Sequence, residues 1–168
     1  MTTQTDIRES FKTFLPAYPS SSKVWIYQSA RALTDDEAAE LENKARTFTS
    51  EWAAHGSALD ATARFVFNRF LVLAVNPGRQ DASGCSIDNS VRFIQSLEAQ
   101  YNTLFFERAE MAVHHEGNLV LMPLNNLKQA VRDASLPQDA LLFDNTVTTL
   151  GDLRSNWITP VYTSWIAK

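Results

Sequence analysis

The sequence predicts an α+β fold with an antiparallel sheet. Short runs rich in aromatic and β-branched residues recur at Val24–Ser29, within 61–76, and at Glu107–His114. Two longer stretches, after Thr34 and after Cys85, place apolar residues at helical spacing. Two of the strand-like runs sit side by side with only a short polar break, as in a hairpin and unlike a parallel βαβ unit.

Asp6–Leu15 reads as a short helix, with Ile7, Phe11, Phe14 and Leu15 on one face and Asp6 and Glu9 spaced as a capping box. Pro16–Ser22 (PAYPSSS) reads as a linker, so residues 1–22 form an arm. Val24–Ser29 (VWIYQS) is a strand. Thr34 caps the next helix: Glu37 completes the box, and Asp35 and Asp36 suit the positive helix end. Ala38, Leu41, Ala45, Phe48 and Trp52 form its stripe, and Gly56 is expected to end it as a C′ glycine. The run ATARFVFNRFLVLAVN predicts strands at 61–67 and 70–76 around a two-residue Asn68-Arg69 turn. One bent strand is the alternative. Ser86–Tyr101 is a second amphipathic helix, with Ile87, Val91, Ile94, Leu97 and Tyr101 facing inward. Glu107–His114 is a strand, His115–Asn118 a turn and Leu119–Met122 a returning strand. A helix over Leu124–Ser135, a short strand over Leu141–Asp144 and a helix over Leu150–Trp157 follow. Residues 23–117 then have the order β-α-β-β-α-β, the ferredoxin-like split βαβ pattern, with 118–168 as a C-terminal α/β elaboration. The expected organisation is one α+β domain over 23–168.

At 168 residues, 45% apolar and 20% charged, the chain suits one globular domain. A chain of this length buries roughly 70% of its unfolded surface and needs no staples. The net charge of -4, with the 15 cations scattered, disfavours nucleic acid as a partner. The single Cys excludes an internal disulfide and suits a reducing compartment. The start MTTQTDIRES lacks a basic n-region and an apolar core, and no apolar run approaches the ~20 residues of a membrane span. A cytoplasmic protein is expected. Only five glycines occur, so each is expected to mark a turn or cap.

The string ASGCSIDNSVRFI (82–94), with WIYQSAR (25–31), WAAHG (52–56), NRFLVLAV (68–75) and TSW (163–165), resembles an uncharacterised bacterial family. The resemblance covers nearly the whole chain after residue 22, and its most specific part is the ASGCSID-x-SVRFI motif. Members are sometimes labelled ABC transporter ATPases. The label fails on chemistry. A phosphate-cradling loop needs G-x-x-x-x-G-K-[ST], whereas the five glycines are followed by Ser57, Arg79, Cys85, Asn118 and Asp152. The resemblance therefore implies no activity.

Several constellations invite chemistry. Gly84-Cys85-Ser86-Ile87-Asp88 would place Cys85 at a helix N-terminus, where the dipole and free N–H groups stabilise a thiolate and could form an oxyanion hole. Cys85, Ser86 and Asp88 are the catalytic candidates. The plain alternative is Ser86 as N-cap, Gly84 as a turn and Cys85 as a buried filler. Asp88 would oppose a thiolate. His55, in WAAHG, is a candidate base for Cys85. If both helices run in the same sense, it lies on the order of 20 Å from Cys85, and its plain role is at a helix C-terminus. His114 and His115 point to opposite faces of a strand, so no metal site is expected. Among Arg64, Arg69, Asp88 and Arg92, an Asp88–Arg92 pair at i, i+4 is expected. Gly84, Arg69 and Arg92 are candidates for a small anionic ligand at the same helix end. Trp157, Tyr162 and Trp165 around Pro160 either pin the tail or form a contact surface.

The expected role is a non-catalytic binding or interaction protein without a cofactor, forming a homodimer through a sheet edge or face. The alternative is a thiol-dependent enzyme or redox-sensitive protein using Cys85. A third reading is a small-anion or nucleotide binder at the same helix end.

Overall fold

The computed structural model describes residues 4–168, residues 4–6 through their backbone. It is a mixed α+β chain with antiparallel sheets and five α-helices among the described residues. It divides into two compact units. One comprises Tyr18–Glu107 with Thr148–Leu150; the other comprises the described residues through Ala17, Arg108–Val147 and Gly151–Lys168.

The sheet of the Tyr18–Glu107 unit is antiparallel, in the order β1 (Lys23–Gln28), β5 (Phe70–Asn76), β4 (Asp60–Val66). β5 is apolar through its first six residues and buried throughout them, as a central strand covered on both faces should be. Leu71, Leu73 and Val75 alternate onto one face, where they share a core with Leu41 and Ala45 of α2 (Asp35–Glu51) and Ile94, Leu97 and Tyr101 of α3 (Gly84–Tyr101). α2 starts as its sequence dictates. The Thr34 hydroxyl accepts from Glu37 N–H, and the Glu37 carboxylate accepts from Thr34 N–H at 3.0 Å. This reciprocal capping satisfies two otherwise unpaired donors.

The hairpin over 61–76 is present. Its turn has three residues, Phe67–Arg69, instead of two, because the register pairs Val66 with Phe70. Arg69 N–H closes it on the Val66 carbonyl at 3.1 Å, with Phe67 and Asn68 at φ 55° and 53°. Gly56 does not end α2. That helix stops at Glu51, and His55-Gly56 (φ 52° and 79°) turns a minimal hairpin between β2 (Ala53–Ala54) and β3 (Ser57–Ala58). Two successive positive φ values are what a tight hairpin turn requires, and glycine supplies the second without strain.

The expected fourth strand of this sheet is absent from it. The segment over Glu107–His114 yields β6 (Glu110–His115), which belongs to the other unit's sheet. The outer edge of β1 is met instead by Thr148–Leu150. Val24 N–H donates to the Thr148 carbonyl at 3.0 Å and Leu150 N–H to the Ser22 carbonyl at 2.8 Å. Sequence periodicity finds a strand without naming its neighbour, and here the neighbour comes from far along the chain.

The second unit holds a four-stranded antiparallel sheet ordered β7 (Asn118–Pro123), β6, β8 (Leu141–Phe143), β9 (Ile158–Pro160). Glu116-Gly117 is the β6–β7 turn, with φ 52° and 79°. One face packs Val113 and Leu142 against Leu127 of α4 (Leu124–Arg132), together with Val161 and Ile166. The helix α1 (Gln4–Phe11) belongs to this unit, with Ile7 buried and Phe11 edge-on to Trp157 at 5.2 Å. The expected capping role of Asp6 lies outside the described side chains. Arg154, on α5 (Leu150–Asn156), donates to the Phe14 and Leu15 carbonyls at 2.9 and 2.8 Å, holding the end of the arm. No helix among the described residues is long and apolar enough to cross a membrane.

Candidate functional site

Cys85 lies in the first turn of α3, as the sequence suggests, and its side chain is exposed. It is therefore no buried filler. The helix starts two residues earlier than expected: Ser83 is the N-cap and Ser86 the third helical residue. Ser83 Oγ accepts from Ser86 N–H at 3.2 Å, and Ser86 Oγ accepts from Ser83 N–H at 2.6 Å. Ser86 is thus engaged as a cap partner, its hydroxyl also donating to the Ser83 carbonyl at 2.8 Å. The same pair takes two of the N–H groups that an anion or oxyanion would need. Gly84 is an ordinary helical position, and a Cβ there would meet open space.

The other candidates are not gathered around Cys85. Asp88 is exposed and makes no ion pair with Arg92 within 4.0 Å, although both are on α3. Arg92 is also exposed and lies roughly 10 Å along the helix from Cys85. Arg69 precedes β5 and Cys85 follows it, and the strand between them alone spans seven residues, about 23 Å. The Arg69 guanidinium donates to the Ser29 carbonyl at 3.1 Å. Arg64 donates to the Ala63 carbonyl of its own strand at 2.9 Å.

His55 is closer to Cys85 in the fold than the sequence suggests. β1 and β5 run antiparallel, so the helices that follow them run antiparallel too. The end of α2 therefore meets the start of α3, and the buried Trp52 indole donates to the Ser86 carbonyl at 2.8 Å. His55 nevertheless sits exposed in its hairpin turn, and no hydrogen bond joins the Cys85 thiol to a described residue. A nucleophile–base pair works through such a bond. His114 is buried and His115 only partly so, on opposite faces of β6. Burial, with His115 beside it, holds His114 below the ordinary histidine value. No group of three or more His, Cys, Asp or Glu among the described residues is placed to hold a metal ion. Of the late aromatics, Trp157 is fully buried and donates to Asn145 Oδ1 at 2.9 Å. Tyr162 donates to the Leu136 carbonyl at 2.6 Å, and Trp165 is exposed. Two of the three pin the tail.

A concavity in the Tyr18–Glu107 unit lies elsewhere, between α2 and α3. It has a volume of about 580 Å³. Phe48 and Phe93 form its floor, stacked with centroids 4.5 Å apart and planes 3° from parallel, beside Leu97. Both rings remain partly exposed. Glu40 and Glu51 mark its two ends, eleven residues or roughly 16 Å apart along α2. Lys44 is the one cation on its wall. Glu40 accepts from the Tyr101 hydroxyl at 2.7 Å and from Gln100 at 3.0 Å, with Lys44 at 3.4 Å. These contacts, the Tyr101 bond first, lower its carboxyl below the ordinary range. Burial and the Glu40 carboxylate push the Tyr101 phenol up. The groove end near Glu40 is braced by Arg31, which forks onto Glu37 at 3.0 and 2.7 Å and donates to the Tyr101 carbonyl at 2.6 Å. The Arg31 hydrogen bonds hold the Glu37 carboxyl at about 2. The start of α2 is thereby tied to the end of α3, and the groove walls are fixed relative to each other.

The sequence places Phe48 on the buried stripe of α2 but gives Phe93 no partner. Its one hint is that Phe93 falls beside the Ile94–Leu97 stripe and widens it toward the neighbouring helix. Comparison with family models, with curated proteins and with solved structures returns no match for this chain.

Proposed function

We propose that this chain is a non-catalytic binding protein whose groove between α2 and α3 receives an amphipathic helix, in a cytoplasmic setting. The observation that carries this reading is the stacked Phe48–Phe93 floor left open between two acidic ends. Partly exposed aromatics in a braced groove resemble the anchor pockets that carry most of the energy of helix-in-groove binding. A length of roughly 16 Å suits three helical turns. With Glu40 and Glu51 against one Lys44, the lining favours apolar anchors flanked by Lys or Arg. The ferredoxin-like reading of the core belongs to the same proposal. The β1-β5-β4 order matches three strands of that sheet, and Thr148–Leu150 stands where the fourth would be.

The test is titration with a synthetic 14-residue amphipathic peptide of Leu and Lys, beside a Leu/Glu counterpart, followed by amide chemical shifts. The Leu/Lys peptide should move the signals of Phe48, Phe93 and Leu97. Phe93→Ser should weaken binding at least about tenfold, and Glu51→Lys a few-fold. Equal binding of both peptides, or shifts confined to other residues, defeats the reading.

One observation favours a second reading, a thiol-dependent or redox-sensitive protein: Cys85 is exposed on a helix's first turn. Its alkylation rate against pH, beside a model thiol of pKa ~8.5, separates the two. A midpoint well below that value supports thiol chemistry; one at or above it leaves the binding reading alone.

A further inference from the structure

An antiparallel edge strand offers unpaired N–H and C=O groups, and proteins commonly cover or plug them. Here most long edges are treated in that way. The outer side of β1 is met by Thr148–Leu150. On β4, Phe65 N–H donates to Glu42 of α2 at 3.3 Å, and Arg64 donates to the Ala63 carbonyl at 2.9 Å. β9 has three residues and ends in Pro160. The edge strand β7 differs. It has six residues, NLVLMP, none charged, and its four apolar residues are partly exposed.

The register shows which groups of β7 face outward. The Glu116-Gly117 turn leaves His115 and Asn118 as the closing pair, and Leu124 N–H donates to the Ala109 carbonyl at 3.1 Å. Hydrogen-bonded pairs alternate along an antiparallel ladder. Residues 118, 120 and 122 therefore bond to β6, whereas Leu119 and Leu121 turn both backbone groups away from it. No hydrogen bond from a described residue reaches those outward groups.

We propose that β7 pairs with β7 of a second copy, antiparallel across a two-fold axis at Val120, joining the two four-stranded sheets into one of eight strands. The pattern is self-complementary. Leu119 and Leu121 of the second copy exchange bonds with Leu121 and Leu119 of the first, so four outward donors meet four outward acceptors. Val120 faces Val120 as the non-hydrogen-bonded pair, with side chains in closest approach. No charge lies on the strand to oppose its copy. Pro123, the next outward position, lacks an N–H and stops the pairing from sliding further. A two-fold contact uses the same patch on both copies, which is the symmetry this strand offers. The observations are separate from those that support the helical groove.

The interface is short, so association belongs at the weak end of specific contacts. The test uses the full chain at ionic strength ~0.15 M, where surface repulsion is screened beyond ~8 Å. Sedimentation velocity between about 10 µM and about 1 mM should show a monomer converting to a dimer. Over the same range, amide exchange should slow at Leu119 and Leu121 and stay constant at residues 118, 120 and 122. Leu121→Pro removes an N–H that the β6–β7 ladder does not use; it should weaken dimerisation at least about tenfold. Leu119→Lys with Leu121→Lys, which sets like charges opposite each other across the two-fold, should do the same and stands in if the proline variant does not fold. A monomer throughout, or a dimer in which the Leu119 and Leu121 amides still exchange freely, overturns the proposal. Loss of peptide binding at the groove would leave this result untouched.

Discussion

Ser22 is fully buried, and its hydroxyl has no hydrogen-bond partner. Its backbone is fully engaged: the N–H donates to the Pro19 carbonyl at 2.9 Å and its own carbonyl accepts from Leu150 at 2.8 Å. Replacing Ser22 with Ala keeps both bonds and deletes only the stranded hydroxyl. Leaving a buried hydroxyl unsatisfied costs roughly 1–3 kcal/mol. The space it vacates is about that of one small group, a loss below about 0.5 kcal/mol at ~24 cal/mol per Å³. Ser22→Ala should therefore be more stable by about 1–2 kcal/mol, raising Tm by roughly 2–8 °C for a chain of this size. Urea unfolding followed by the fluorescence of the four tryptophans measures it, with an unchanged m value as the control. A variant less stable by more than about 1 kcal/mol would refute the reasoning, because the hydroxyl would then be satisfied in solution.

Other expected outcomes concern Trp52, two glycines and His114. Trp52→Phe removes the buried bond to the Ser86 carbonyl and should cost about 1–3 kcal/mol in chemical unfolding, loosening the junction of α2 and α3. Gly117 sits at φ 79° with open space around it, so Gly117→Ala should cost about 1–2 kcal/mol from backbone strain alone. Gly84 occupies a helical position with equal room, so Gly84→Ala should gain about 0.4–1 kcal/mol; a loss there would show that a glycine is required. His114 is held below its ordinary value by burial, so the unfolded chain binds its proton more tightly. The stability this contributes is present above the unfolded value of ~6.5 and is lost as pH falls below it toward the folded value, by at most ~1.4 kcal/mol per pH unit. Urea midpoints from pH 7.5 down to 5 should fall, and His114→Gln should flatten that fall.

Local signals written in side chains were legible. The Thr34–Glu37 box, the hairpin around Asn68 and the apolar strand after it all follow from neighbours a few residues apart. The start of α3 is not marked in the sequence, because its box pairs Ser83 with Ser86 and serine at the third helical position carries no strong signal. The sequence points Gly56 to a helix end because a positive-φ glycine serves equally in a C′ position and a hairpin turn; only the brief ladder of Ala53–Ala54 with Ser57–Ala58 separates the two. What could not be read was long-range. The neighbour of β1, the sheet that takes β6, and the ring that meets Phe48 depend on pairings between distant residues. The candidate site shifted for that reason. Cys85 was conspicuous as the only cysteine, whereas the groove exists only once α2 and α3 lie antiparallel.

The strand opened at Lys23 finds its last neighbour at Thr149. During synthesis, then, β1, β5 and β4 can assemble with their helices well before that neighbour leaves the ribosome. For that interval β1 presents an open edge, the kind of surface on which nascent chains misassemble. Completion of a sheet begun near the start of the chain waits on one of its last segments. A nascent chain halted before Thr148 should carry this sheet folded but adhesive, and release of three more residues would be what quiets it.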